Sequence, residues 1–175
     1  MKISMDGKKR NKKRLKIQLP LLIWFLIAIF ISGCAPPAYI QAIKNHDVEF
    51  MEKYINEGNE LSSSSSSKWL PPLMVAAQLN DINIARLLIE KGADVNGVNR
   101  LGQTALHYAK TGEMTQLLLK AGADVNVSSK WGETPLHWAK TGEIVKLLLE
   151  AGAELNGLTK LGETPLDVAY YANSK

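Results

Sequence analysis

The chain has 175 residues, of which 46% are hydrophobic, so it is long enough for one packed domain and too apolar for wholesale disorder. A single cysteine excludes an intramolecular disulfide framework and a multi-cysteine zinc site, and three histidines provide little material for a histidine-rich metal site. The net charge of +4 comes from residues 1–33, which hold eight of the 21 basic residues and one acid, whereas residues 34–175 carry a net charge of −3 and do not suit a nucleic-acid-binding surface.

The N-terminal segment combines a cationic stretch over residues 2–16 with an apolar run over residues 19–31. The run is shorter than the roughly 20 residues of a membrane-spanning helix and suits the apolar core of a signal peptide. It leads into the sequence Ile31-Ser32-Gly33-Cys34. An apolar residue, two small residues and a cysteine in this register resemble the lipobox of a bacterial lipoprotein signal peptide, although Ile31 replaces the usual leucine.

This resemblance implies that residues 1–33 are a signal peptide, that cleavage precedes Cys34 and that Cys34 carries the lipid, palmitate included. Residues 34–37 would then be a short tether to a membrane of the bacterial cell envelope. Ala35, rather than an aspartate, favours the outer membrane where the cell has one. Two alternatives stay open: an uncleaved signal anchor in the inner membrane, and a Cys34 thiol without a role.

Internal repeats occupy the rest of the chain. Residues 102–126 and 132–156 are near copies at an offset of 30, another copy begins at Gly162, and related segments lie at 71–96 and 42–61. The order Thr-Pro-Leu-His, Ala, Leu-Leu-Leu, Gly-Ala-Asp-Val-Asn resembles the ankyrin repeat family. The resemblance implies an all-α solenoid of helix-turn-helix units with projecting β-turn fingers. It predicts about four and a half repeats in residues 38–175: a cap-like unit at 38–61, units at 68–96, 97–126 and 127–156, and a partial unit at 157–175.

Local signals agree with this fold. First helices are predicted to begin at Pro72, Pro135 and Pro165, and Thr111 and Thr141 are predicted to cap second helices. Gly92, Gly122 and Gly152 are predicted to end those helices in a left-handed conformation. The third and fourth repeats have 30 residues instead of the usual 33, which predicts the loss of about one helical turn where the two helices meet. Six serines at 62–67 replace a finger.

The sequence offers little that resembles catalysis. His107 and His137 each end a Thr-x-Leu-His unit, so their imidazoles are predicted to bond within the turn. Asp94, Asp124 and Glu154 recur at the start of the hairpin and are predicted to have a turn role. There is no Gly-rich phosphate loop, no nucleophile beside a base and no HExxH sequence. We therefore expect neither an enzyme nor a metal or cofactor site.

The ankyrin resemblance implies that residues at the finger tips and on the first helix contact a protein partner. The positions that correspond here are Lys68, Leu70, Arg100, Leu101, Gln103, Lys130, Trp131, Glu133, Lys160, Leu161 and Glu163. Eight of them form two rows at the repeat period, a basic row of Lys68, Arg100, Lys130 and Lys160 and an apolar row of Leu70, Leu101, Trp131 and Leu161. These rows suit a partner with an acidic and partly apolar face, with Trp131 as the anchor. In the alternative, the lysines are merely solvated and the apolar residues pack on neighbouring fingers.

The sequence therefore predicts a monomeric, non-catalytic, membrane-anchored lipoprotein that mediates protein–protein binding and does not bind nucleic acid. Two other functions remain open. One is an envelope immunity protein or inhibitor that neutralises a toxin or an enzyme. The other is a subunit of a complex whose activity lies in another chain.

Overall fold

The computed structural model describes residues 36–61 and 69–173. The predicted signal peptide, Cys34, the serine segment and Lys68 lie outside the described residues. No helix within the described residues is both long and apolar enough to cross a membrane.

The described part of the chain contains seven α-helices, two short 3₁₀ turns and no strand. In chain order these are α1 (Ala38–Lys44), α2 (Val48–Asn56), α3 (Pro72–Leu79), α4 (Ile82–Glu90), a first 3₁₀ turn (Ala105–Tyr108), α5 (Gly112–Lys120), a second 3₁₀ turn (Pro135–Trp138), α6 (Gly142–Glu150) and α7 (Pro165–Asn173). The predicted all-α repeat solenoid is confirmed.

The elements form two layers. In the first layer, α1, α3, the first 3₁₀ turn, the second 3₁₀ turn and α7 contact one another in that order. In the second layer, α2, α4, α5 and α6 do the same. Fully buried side chains fill the space between the layers: Ile43, Met51, Met74, Ile84, Leu88, Met114, Leu118 and Leu148. Stacking therefore covers apolar faces that one helix pair could not cover alone.

The first-layer element changes along the stack. Helix α3 has eight residues, whereas each 3₁₀ turn has only four, and both Ala109 and Ala139 that follow are in extended conformation. The predicted loss of a turn is confirmed, and the missing residues correspond to 77–79. The expectation of an α-helix as the first element is wrong for these two repeats, because four residues before an extended alanine cannot form successive i→i+4 bonds.

The second helices begin and end as predicted. Thr111 Oγ1 accepts the backbone N–H of Met114, and Thr141 Oγ1 accepts that of Ile144, each at 3.3 Å. The helices are followed by Gly92, Gly122 and Gly152, whose φ angles are 86°, 87° and 91°. A side chain with a Cβ adopts this conformation only at a cost, so glycine ends the helix cleanly.

Candidate functional site

A buried polar side chain organises each of the three fingers that follow α4, α5 and α6. Asn99 Oδ1 accepts the backbone N–H groups of Leu101 at 2.8 Å and Gln103 at 3.0 Å. Ser129 Oγ and Thr159 Oγ1 make the equivalent pairs of bonds at 3.2–3.3 Å. These three residues were missed by the sequence analysis. Their signal was a small polar residue recurring at the repeat period two positions before each apolar tip residue.

Backbone hydrogen bonds join neighbouring fingers. The N–H of Lys130 donates to the carbonyl of Leu101, and the N–H of Lys160 donates to the carbonyl of Trp131, both at 2.7 Å. Gly102, Gly132 and Gly162 make the tight turn with φ angles of 76–80°. The finger tips therefore have a fixed spacing along the stack.

The structure brings most of the predicted contact residues together at these tips. Leu101 is 39% exposed, Trp131 is 47% exposed and Leu161 is 85% exposed. The basic residues beside them, Arg100, Lys130 and Lys160, are exposed. We call these six residues the finger row. Large, solvent-exposed apolar side chains beside positively charged residues are a feature of binding surfaces.

Leu70 lies elsewhere. Its side chain is partly buried against the core, and its carbonyl accepts the hydroxyl of Tyr39 at 2.5 Å. Lys68, the basic residue predicted beside it, is outside the described residues. The finger row thus begins at Arg100 among the residues that the structure describes.

Gln103, predicted to contact a partner, is buried beneath the finger tip. Its side chain is 2% exposed, and its Oε1 accepts hydrogen bonds from Asn99 Nδ2 at 2.9 Å and from the Tyr108 hydroxyl at 2.6 Å. The buried side chain of Gln103 therefore stabilises its finger through these hydrogen bonds. Glu133 and Glu163 are partly buried at the same position, where their Oε2 atoms accept from Ser129 Oγ at 3.3 Å and Thr159 Oγ1 at 3.4 Å. Their partner contacts remain a prediction.

The histidines connect one repeat to the next. His107 Nδ1 accepts the backbone N–H of Thr104 at 3.1 Å, which confirms the predicted bond within the turn. Its Nε2 lies 3.2 Å from the carbonyl oxygen of Glu133 in the next finger. His137 repeats this arrangement with Thr134 and Glu163. Because Nδ1 accepts, Nε2 must carry the proton that it donates. The bridge to the next finger was not predicted.

Burial lowers the pKa of His107, and the Glu133 carbonyl that accepts from its ring opposes this shift. The neutral imidazole is therefore the form that this site holds. Both ring nitrogens of His107 make hydrogen bonds, so this residue stabilises the stack of repeats.

The hairpin acids have turn roles. Asp94 Oδ1 accepts the N–H of Asn96 at 3.0 Å, and Asp124 Oδ1 accepts that of Asn126 at 2.9 Å, which confirms the prediction for both aspartates. Glu154 contributes its backbone N–H to Asn126 Oδ1 at 2.9 Å. Among residues 36–61 and 69–173, no group of three or more His, Cys, Asp or Glu side chains is placed to hold a metal ion.

Comparison with known proteins agrees with this architecture. Residues 39–129 and 110–175 match a family model described as ankyrin repeats (3 copies). A search of the curated proteins found no match.

Proposed function

Because the chain belongs to the ankyrin repeat family, whose members are generally non-catalytic modules for protein–protein interaction, we propose that it is a membrane-anchored lipoprotein that binds a protein partner through the finger row. The observation that carries this proposal is the exposure of Leu101, Trp131 and Leu161 beside Arg100, Lys130 and Lys160 on tips fixed by backbone hydrogen bonds.

The chemistry of the finger row defines the partner. Lys130 and Lys160 form no ion pair with any described residue, so their charge is available to acidic groups of a partner. Opposite charge gives orientation and a faster encounter, whereas a desolvated aromatic residue supplies most of the affinity. Trp131 is the aromatic residue in the row. Because the tips are already ordered, binding costs little backbone entropy.

The anchor completes the proposal. The basic stretch, the apolar run and the lipobox-like sequence before Cys34 support export, cleavage and lipidation at that cysteine. A lipid on Cys34 would restrict the search for a partner to the surface of the envelope membrane. Pro36-Pro37 would then leave only a short tether between the lipid and the repeats.

Two measurements test this proposal. The intact mass of the membrane-extracted protein should equal residues 34–175 plus acyl chains, and the acyl mass should be absent from a Cys34→Ala variant. An unmodified full-length mass would exclude the lipoprotein.

For the finger row, a photo-cross-linking amino acid at position 131 should give one discrete protein adduct in cells. The same group at position 146, whose lysine is 75% exposed on α6, is the matched control. The adduct should disappear in a K130E/K160E variant. Identical adducts from both positions would show that the finger row is not the contact.

A further inference from the structure

A second concave surface runs along the first layer. It consists of three adjoining cavities of about 270, 240 and 580 Å³. Gln78 borders the first two cavities, and Trp138 and Lys140 border the last two. We call this surface the lysine groove, after the residues at its edge: Lys44 in the first cavity, Lys110 and Lys140 in the second, and Lys140 again in the third.

The shortened repeats create the central part of the groove. Helix α3 continues through residues 77–79, whereas the first-layer elements of the next two repeats stop at Tyr108 and Trp138. Ala109 and Ala139 are extended, with ψ angles of 125° and 120°, and lead directly into Lys110 and Lys140. Where a full repeat has a helical turn, these repeats therefore present a lysine beside a partly exposed aromatic ring.

The floor of the groove is apolar and aromatic. The rings of Tyr108 and Trp138 lie 5.9 Å apart between centroids. Leu70, Val145 and Val168 add aliphatic surface in the outer cavities. The indole N–H of Trp138 donates to no described residue.

The edge of the groove carries uncompensated positive charge. Lys44, Lys110 and Lys140 are exposed, and none of them forms an ion pair with a described residue. One acid, Glu133, lines the groove among the described residues, and its Oε2 already accepts from Ser129 Oγ. The groove therefore complements a ligand with several negative charges and some apolar surface.

We propose that the lysine groove binds an extended acidic segment of a partner protein, with acidic side chains on the lysines and apolar side chains over Tyr108 and Trp138. This proposal deepens the proposed protein-binding function by adding a surface separate from the finger row. A nucleic acid fits less well, because residues 34–175 carry a net charge of −3 and the groove offers few cations.

The repeat geometry sets the spacing of the acids. Packed helical elements lie about 8–10 Å apart, and a chain in the extended polyproline II conformation advances about 3.1 Å per residue with three residues per turn, so side chains three positions apart share one face. Acidic residues about three positions apart would therefore reach Lys110 and Lys140 in consecutive repeats. The bound segment should have one acid for each shortened repeat, with apolar residues between them.

Selection of displayed random linear peptides on the full chain in detergent tests the proposal without prior choice of a ligand. We expect enrichment of peptides with acids about three residues apart and apolar residues between them. By fluorescence anisotropy, a K110E/K140E variant should bind the enriched peptide at least about tenfold more weakly. The matched K130E/K160E variant, with two charges reversed on the finger row, should change the affinity less than about twofold.

The proposal would be overturned by a selection without enrichment, by enrichment without acidic residues, by an equal affinity for K110E/K140E, or by a single-stranded oligonucleotide that binds the groove more tightly than the peptides. Loss of peptide binding in K130E/K160E alone would place the peptide on the finger row, which overturns the groove and supports the proposed function. Circular dichroism should show that both variants fold, since the four lysines are exposed.

Discussion

At the scale of single residues, His107 and His137 act as connectors between repeats. Each imidazole accepts a backbone N–H in its own turn and donates to a carbonyl in the next finger, over a separation of 26 residues. A hydrogen bond of this kind contributes about 0.5–1.5 kcal/mol, and loss of its buried partner costs more. The finger row is therefore held in place by side chains that lie beneath it.

The lowered pKa of His107 predicts a pH dependence of stability. Because the unfolded chain has the ordinary histidine pKa of about 6.5, it binds more protons than the folded chain as the pH falls. The contribution of His107 is fully present above about pH 6.5 and decreases below it. Urea unfolding should show that the stability difference between the wild type and a His107→Gln variant narrows from about pH 7 to pH 5. A constant difference would contradict this assignment.

Glycines in the finger turns provide a matched pair. Gly132 and Gly162 have nearly the same φ, 80° and 78°, but a Cβ at position 132 would lie 3.0 Å from the carbonyl oxygen of Leu158 and 3.1 Å from the nitrogen of Lys160. At position 162, no described atom outside the glycine and its two chain neighbours lies within 4 Å of the equivalent point. We expect Gly162→Ala to cost about 1–2 kcal/mol from the left-handed backbone alone and Gly132→Ala to cost more. If urea unfolding gave the same loss of unfolding free energy for both variants, neighbouring fingers would be able to move apart at little cost.

At the scale of elements, the two shortened repeats show how the second helix keeps its place after its partner has lost a turn. Helices α5 and α6 begin at threonine caps that directly follow Lys110 and Lys140. Thr111 also donates to Asn80 Oδ1 at 2.6 Å, which ties α5 to the left-handed end of α3. Thr141 has no equivalent bond among the described residues.

This difference predicts unequal costs for the same substitution. Thr141→Ala should lower the free energy of unfolding by about 1 kcal/mol, the usual value of a helix N-cap. Thr111→Ala should cost about 0.5–1.5 kcal/mol more, because it also removes the hydrogen bond to Asn80. Chemical denaturation of both variants measures the two costs. Equal costs for the two variants would show that the hydrogen bond from Thr111 to Asn80 does not contribute to stability.

At the scale of the whole molecule, the domain is a one-dimensional stack. Each first-layer and second-layer element contacts its neighbours in the series, from α1 to α7. In such a stack stability is approximately a sum of repeat terms and nearest-neighbour interface terms. Large apolar residues become more exposed towards the later repeats, where Leu155, Leu158, Leu161 and Leu166 are 57–85% exposed. The later repeats should therefore open before the earlier ones.

Core truncation at two positions tests this order. Leu148 and Leu118 are 1% and 0% exposed, so replacement of either by alanine should cost about 2–5 kcal/mol. Leu148→Ala should increase hydrogen exchange in α6 and α7 while exchange in α1 and α2 stays unchanged. Leu118→Ala, in the middle of the stack, should affect helices on both of its sides. Uniform exchange after Leu148→Ala would mean that the domain unfolds as a single cooperative unit.

The sequence by itself determined the repeat period, the helix caps, the terminating glycines and the loss of a turn in the third and fourth repeats. The caps and the terminating glycines depend on residues within about four positions of one another, because capping and left-handed turns are local. The repeat period and the lost turn follow from comparing copies of the repeat along the sequence. The resemblance to ankyrin repeats identified all six residues of the finger row, and the tip of a turn is exposed in almost any packing. Local reasoning also predicted that the histidines bond within their turns.

Only the tertiary structure decided which residues of a finger face inward. Gln103 and Leu101 are two positions apart, yet one is buried beneath the tip and the other stands in water, because Asn99 and Tyr108 supply hydrogen bonds that enclose the amide. The second bond of His107 and the lysine groove depend on partners in the next repeat. These two features are set by neighbours about 26–30 residues away, whose positions only the stacked chain determines.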